Sequence, residues 1–352
     1  MKTDVLIVGG GPAAYSCAIM LRQLGLQALV VRRSSESNVT FGESLPGSVK
    51  SSLKRLGLWQ GFLEDGHLPC YNSLSAWGSE ILVTYSFIQS ANGHGWHIDR
   101  PLFERRMREK ARQLGVVERE ALPGMRLRRQ AGDSPRRQAA DRWQLQCGTQ
   151  QIESSFVIDA SGRNSWVGRQ LGIGRIVERR QVGLVSFFKP GVAEVNFRSS
   201  LVESVASGWW YLAYMPNGQF VCIYFTDARL VGRQDPTVLM AEMLDQAIHI
   251  RAFRKKYDGS GLCPARLIQA DSSRLSQFSA PGWLAVGDAA ITYHPLASHG
   301  LSFALASGYD GAGQAHAYLG GRTEAMEDYS NQMTKAFAAY SRELASYFAA
   351  VG

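Results

Sequence analysis

One short stretch constrains this chain more than any other. Gly9-Gly10-Gly11-Pro12-Ala13-Ala14 spells G-x-G-x-x-[GA] directly after the apolar run Asp4 to Val8 and directly before a helical pattern at Ala18, Leu21 and Leu24. A second apolar run, Ala28 to Val31, follows, so the opening reads as strand, glycine turn, helix, strand. Each motif position has a physical task. Gly9 permits the tight turn, Gly11 lets a pyrophosphate approach the backbone, and Ala14 lets the helix pack closely. The helix N-terminus, with Pro12 and Ala13 in its first turn, offers amide donors to an anion. Dinucleotide binding is the expectation. In such units an acid closes the second strand and holds the ribose hydroxyls, but here Arg32 and Arg33 follow Val31. An arginine at that point suits a phosphate or the face of adenine, and Glu36 is a substitute for the acid.

Further along, Val49, Leu53 and Leu56 are spaced as one helix face and stop at Gly57. Leu102 to Leu114 repeats the pattern, with Pro101 suited to a first helical turn. Gln181 to Thr226 carries aromatic and β-branched runs broken by Pro216-Asn217-Gly218, the signature of an antiparallel sheet. Trp283 to Val286 restores the buried-strand signal, and helical periodicity then runs from Gly300 to the end, with Met326, Tyr329, Met333, Phe337, Tyr340 and Leu344 forming a packing stripe. Nucleotide-binding elements therefore lie at both ends and in the middle. The expected architecture is α/β: a discontinuous Rossmann-type domain of residues 1–72, 95–180 and 270–352, with a mainly antiparallel substrate domain of 73–94 and 181–269 inserted into it.

Composition excludes several classes. Of 352 residues, 45% are hydrophobic and 19% charged, which argues against disorder and fibrous architectures. The net charge of +8 is partly concentrated between Arg126 and Arg142. That stretch lacks interleaved aromatics and any nucleic-acid motif, so it reads as a solvated hairpin and no nucleic-acid partner is expected. The five cysteines (Cys17, Cys70, Cys147, Cys222, Cys263) form no C-x-x-C pair, so reduced thiols and no metal centre are expected. Met1 leads at once into the first strand, without a leader pattern, and no apolar run is long enough to span a bilayer. A cytoplasmic protein without stable membrane insertion is the expectation.

Two more motifs follow in order: Asp159-Ala160-Ser161-Gly162-Arg163-Asn164-Ser165, closing a strand, and Gly287-Asp288-Ala289-Ala290, trailed by Pro295 and Gly300. Together with the glycine turn, this order resembles the para-hydroxybenzoate hydroxylase class of flavoproteins over nearly the whole chain. That superfamily holds aromatic monooxygenases, flavin-dependent halogenases and geranylgeranyl reductases. The resemblance implies FAD as the cofactor, Asp288 on its ribitol or phosphate side, and Asp159 and Gly162 beside it on a route for NAD(P)H. Gly42-Glu43-Ser44-Leu45-Pro46 resembles a G-E-x-x-x-P loop near the isoalloxazine. Trp96-His97-Ile98-Asp99-Arg100 resembles a W-H-x-D-R element whose arginine, here Arg100, approaches the cofactor. A reduced flavin carries negative charge that backbone donors at a helix N-terminus stabilise, which points to the stretch from Pro295 to Leu301, with Gly300 and Leu301 as the candidate donors. His97, His294 and His299 are the candidates for proton transfer, because imidazole titrates near neutrality.

The halogenases of the superfamily resemble one another in a W-x-W-x-I-P motif and a lysine downstream of the G-E loop. Here the aromatic segment is Trp209-Trp210-Tyr211-Leu212-Ala213-Tyr214-Met215-Pro216, and Pro69 to Val83 contains no lysine, so halogenation is disfavoured. Ser75-Ala76-Trp77-Gly78-Ser79 and Gly95-Trp96-His97 are similar to segments of the flavoprotein monooxygenases that mature cysteine tryptophylquinone enzymes by hydroxylating a tryptophan of a partner protein. That similarity implies O2 as co-substrate and an aromatic ring as target, a protein tryptophan among the candidates, faced by Trp209, Trp210, Tyr211 and Tyr224. Electrons would come from NAD(P)H or from a separate reductase, since no second G-x-G-x-x-G unit occurs. Two other readings stand beside it: an FAD-dependent reductase of an isoprenoid or other unsaturated substrate, and a flavin-carrying escort protein.

Overall fold

The computed structural model describes residues 1–33, 44–87, 90–130, 142–192, 194–257 and 264–349. Gly42, Glu43, Glu36 and Cys263 lie outside them. The elements that build the site are, in chain order, strand β1 (Lys2–Val8), helix α1 (Pro12–Gln23), strand β2 (Ala28–Arg32), helices α2 (Val49–Arg55) and α3 (Arg100–Gln113), strands β3 (Gln150–Asp159), β4 (Gly208–Tyr214) and β5 (Trp283–Ala285), and helices α4 (Gly300–Leu319) and α5 (Ala325–Ala349).

An eight-stranded sheet carries the first motif. Its parallel core runs β5, β3, β1, β2 and Val117–Glu120. Val5, Leu6, Ile7, Val30, Val157 and Ile158 are completely buried, as expected of strands covered on both faces. At the two ends of the arginine-rich stretch, Arg126–Gln130 pairs antiparallel with Arg142–Cys147, which in turn pairs antiparallel with the first half of β3. The Rossmann-type α/β reading of the sequence thus holds.

A seven-stranded sheet contains Arg266–Gln269, Val182–Phe188, Phe220–Thr226, β4, Ser199–Val205, Asn72–Ala76 and Val83–Ser86, in that order. Every pairing is antiparallel except Ser199–Val205 with Asn72–Ala76. The turn at Pro216-Asn217-Gly218 closes the hairpin, with Gly218 at φ 78°. Side chains of β4 alternate. Trp209 and Ala213 pack with Val221, Ile223 and Phe225 on one face, and Trp210 and Leu212 pack with Phe220, Cys222 and Tyr224 on the other. Two small sheets fasten the rest: Ser44–Leu45 with Gly95–His97 and Leu68–Cys70, and Arg175–Arg179 with Ser272–Leu275 and Ile291–Thr292.

Helices α1 and α4 pack against each other more extensively than any other pair of elements, because small residues let their backbones approach. A Cβ on Gly308 would lie 2.6 Å from Cβ of Ser16 and 2.7 Å from the carbonyl oxygen of Ala13. Two bonds cross the contact: Oγ of Ser16 donates to the Leu305 carbonyl at 2.7 Å, and Sγ of Cys17 to that of Gly308 at 3.0 Å. The stripe on α5 packs as its spacing predicts, with Met326, Tyr329, Met333, Phe337 and Tyr340 buried. No helix among the described residues is long and apolar enough to cross a membrane.

Candidate functional site

A cleft of about 630 Å3 separates the glycine turn from one face of the seven-stranded sheet, a size in the middle of the range of small-molecule sites. Its floor is made by Gly11, Pro12 and Ala13 at the start of α1 and by Gly300 and Leu301 at the start of α4. Two helix N-termini therefore point their unpaired amides into one space, which favours negative charge there. Backbone geometry explains the glycines. Gly9 sits at φ 139°, and a Cβ there would fall 2.0 Å from the carbonyl oxygen of Ala160. Gly287, at φ 56°, lets its loop meet Ala13, whose Cβ would be 2.7 Å from an added one. Gly11 differs: a Cβ there meets no atom within 4 Å and would enter the cleft.

The middle wall holds the charges. Arg163 lines the cleft, places Nε 3.5 Å from Oδ2 of Asp288 and donates Nη1 to the carbonyl of Asp271 at 2.9 Å. Burial pushes the Asp288 carboxyl above the usual carboxylate range, against the pull of Arg163, Arg100 and Arg175. Arg100, at the start of α3, also lines the cleft and pairs with Glu104 at 2.6 Å. Asp159 is placed differently from Asp288. It is fully buried, and its oxygens accept from the backbone amide and hydroxyl of Ser161 and from the amide of Gly168. Burial raises its pKa and those bonds oppose the rise. Its carboxylate thus brackets the loop that brings Ala160, Gly162 and Arg163 to the cleft.

The far wall is aromatic. Trp209 and Phe225 stack at 4.2 Å, with Ile223 and Tyr211 beside them. The hydroxyls of Tyr211 and Ser44 lie 2.7 Å apart, which ties the Ser44–Leu45 strand to β4. Trp210 and Tyr224, expected here from the sequence, belong to the opposite face of the sheet. Consecutive strand residues cannot share a face. Ile268, Gln269, Ala270 and Tyr293 complete the cleft; sequence reading missed them, and only the alternation of the short Arg266–Gln269 strand hinted at the first.

The three histidines occupy three environments. His97 is buried away from the cleft, where Nδ1 donates to the Tyr214 carbonyl at 3.1 Å and Nε2 finds no partner among the described residues. Burial lowers its pKa to about 4. His294 contributes to the cleft wall and is buried against Trp209 and Phe348. Its Nδ1 accepts from the Leu296 amide at 3.2 Å, so the neutral ring carries its proton on Nε2; burial lowers its pKa to about 3. His299 lines the cleft and is exposed. At the end of β2, Arg32 packs over Gly10 and lies 3.8 Å from Glu118, and the exposed Arg33 follows it. Glu118 comes from the neighbouring strand and is also held by Arg108 and Tyr15.

Residues 2–336 match the family described as FAD binding domain. The chain belongs to that family. It is an FAD-dependent oxidoreductase, and the geometry fits the cofactor: paired helix N-termini for a diphosphate, an open approach at Gly11 and a long cleft ending at an aromatic wall. Over 348 residues it is 26% identical to LodB of Marinomonas mediterranea, named as an FAD-dependent oxidoreductase, covering 96% of this chain and 90% of that protein. Other curated relatives include halogenases and, over 32% of this chain, the FAD-dependent monooxygenase pynG of Aspergillus niger. Among solved structures, the flavin-dependent halogenase CmlS superposes with a TM-score of 0.85 at 23% identity, covering 99% of this chain and 64% of the longer CmlS chain. QhpG, a peptidyl tryptophan dihydroxylase of tryptophylquinone cofactor biogenesis, superposes with a TM-score of 0.74 at 20% identity, over 99% of this chain and 76% of that one. These likenesses show a shared fold and leave hydroxylation and halogenation side by side, so the sequence expectation against halogenation gains no support from them.

Proposed function

We propose that the protein is a monooxygenase that hydroxylates an aromatic ring, and that the ring is a tryptophan of a partner protein. The observation that carries this reading is the union, in one cleft, of an anion-favouring floor and the aromatic wall of Trp209, Tyr211 and Phe225. Gly11, Pro12, Ala13, Gly300 and Leu301 would hold the cofactor through backbone amides and close approach, Ala14 and Gly287 through tight packing behind them, and Asp288 with Arg100 and Arg163 would orient its middle. FAD, when bound, supplies the electron transfer and oxygen activation. The chain supplies position and dryness. Trp209, Ile223 and Phe225 would flank a planar ring and exclude water from the reacting oxygen. The backbone at Pro295 to Leu301 would favour negative charge that develops beside it. NAD(P)H or a separate reductase is the electron source in this reading, and O2 the oxidant.

Halogenation is the second reading, favoured by the halogenases among the relatives. Among the described residues, the cleft wall carries the arginines Arg100 and Arg163 and no lysine. One experiment separates the two. FAD-loaded protein is given NAD(P)H or a flavin reductase, isotope-labelled dioxygen, chloride or bromide, and either free tryptophan or a tryptophan-containing peptide, and products are read by mass spectrometry. Labelled oxygen in the peptide supports the proposal; halogen in the product overturns it. Oxygen-independent reduction of an added isoprenoid would overturn it in favour of a reductase.

A further inference from the structure

The cleft has a neighbour. A second hollow of about 250 Å3, open to solvent, lies between α2 and the first turns of α4, lined by Ser48, Val49, Ser52, Ser302, Phe303 and Ala306. Among the described residues, Tyr293 and His299 alone belong to the walls of both spaces. They form the septum between a hydroxyl-lined inlet and the site described above.

Local backbone puts His299 in that place. Ser298 takes a left-handed φ of 51°, one of two described non-glycine residues with positive φ, a conformation that persists where the surroundings impose it. His299 then opens α4 as its N-cap residue, and Oγ of Ser302 donates to its carbonyl at 3.0 Å. The imidazole meets Tyr293 edge-on at 6.1 Å, and Tyr293 is held by Phe303 at 4.9 Å and Tyr340 at 4.5 Å. On the cleft side the charged groups are Arg100, Glu104, Arg163 and Asp288. On the other side no described lining residue apart from these two is ionisable. Burial keeps the Tyr293 phenol protonated. His97 and His294 are buried in single neutral tautomers, so neither cycles between charge states near neutrality.

We propose that His299, backed by Tyr293, is the proton inlet of the cleft. One ring nitrogen takes a proton from water in the hollow, the other releases its proton into the cleft, and the ring is left neutral as the opposite tautomer; a flip of the ring resets it, so one proton crosses per cycle. Reduction of dioxygen consumes protons, and a site that excludes water must import them. The inference rests on membership of the FAD-dependent oxidoreductases and on no particular aromatic substrate.

The test has two arms. In FAD-free protein, carbethoxylation of His299 by diethyl pyrocarbonate is followed by peptide mass spectrometry, with Ala306→Phe filling the hollow from a half-buried helix position. In FAD-loaded protein reduced with dithionite, reoxidation in aerated buffer is followed across neutral pH in H2O and D2O for His299→Gln, His299→Ala and Ala306→Phe. The expected result is carbethoxylation slowed several-fold by Ala306→Phe. Reoxidation slows by about a hundredfold in the His299 variants, with a larger solvent isotope effect, unchanged FAD affinity and rescue of His299→Ala by added imidazole. Unchanged carbethoxylation in Ala306→Phe, or an unchanged rate and isotope effect in His299→Gln, overturns the proposal. The first arm is read without FAD, so a failure of the flavin reading leaves it intact.

Discussion

Replacing Gly308 by alanine sets two effects against each other. Helix propensity alone favours alanine in the middle of α4 by about 1 kcal/mol. The added Cβ, however, would stand 2.6 Å from Cβ of Ser16, 2.7 Å from the Ala13 carbonyl oxygen and 2.9 Å from Oγ of Ser16. Cβ of Ser16 is bonded directly to its backbone and the Ala13 oxygen is backbone, so neither can swing aside, and Oγ of Ser16 can rotate away only by giving up its bond to Leu305. Overpacking of this kind costs about 1–3 kcal/mol, and parting the helices stretches the hydroxyl bond from Ser16 to Leu305, worth about 1 kcal/mol. The sum less the propensity gain is a net destabilisation of about 1–3 kcal/mol. Gly313, on the same helix, has nothing within 4 Å of an added Cβ, so Gly313→Ala realises the propensity gain alone. The assay is urea unfolding of FAD-free protein, with FAD affinity measured by fluorescence titration. Gly308→Ala lowers the midpoint and weakens FAD, because the first turn of α1 moves with the contact; Gly313→Ala raises the midpoint and leaves FAD binding alone. A Gly308→Ala protein as stable as its parent refutes the claim that this contact sets the spacing of the two helices.

Two further outcomes are expected. Gly11→Val leaves the fold within about 0.5 kcal/mol of its parent, since the position has open space and an ordinary φ of −93°, yet weakens FAD binding at least about tenfold; full FAD affinity in a folded Gly11→Val protein sinks the assignment of the floor. Acid sensitivity follows from the buried histidines. Their pKa values, about 4 and about 3, lie below the ordinary 6.5, so the unfolded chain takes up protons first and stability, complete above 6.5, falls as the pH drops toward 4. At about 1.4 kcal/mol per unit, His97 alone removes about 3 kcal/mol. The double variant His97→Asn, His294→Asn, whose amides can replace the two Nδ1 bonds, should flatten the dependence of the unfolding midpoint on pH; an unchanged slope counts against it.

The parts of the fold legible in the sequence are those where local sterics or burial leave one option. A glycine turn between an apolar run and a helical pattern has few alternatives, and Val5 to Val8, Ala28 to Val31 and the α5 stripe from Met326 to Tyr340 are buried as their periodicity demands. The helix over Val49 and Leu53 ends at Arg55, Leu56 caps it, and Gly57, with a φ of 65°, turns the chain away just beyond. What the sequence withheld depends on partners distant along the chain. Trp209, Trp210 and Tyr211 look equivalent as letters, and only the pairing of β4 with its neighbours assigns them to faces. His97 stands beside Trp96 in a motif, but the pairing of Gly95–His97 with Leu68–Cys70 buries its ring beside Tyr214. Asp159 and Asp288 read alike as motif acids; three protein donors claim the first and the cleft receives the second.

The alternation along β4 separates two kinds of inheritance. Residues 209 and 211, with 223 and 225 on the adjoining strand, shape the cleft, while 210, 212, 222 and 224 anchor the same strands to the layer behind. A change of size or polarity in the first set redraws what fits in the cleft and leaves the anchorage untouched. A lineage can therefore exchange one target for another by rewriting every second letter of two strands, and relatives that share this architecture need not share an appetite.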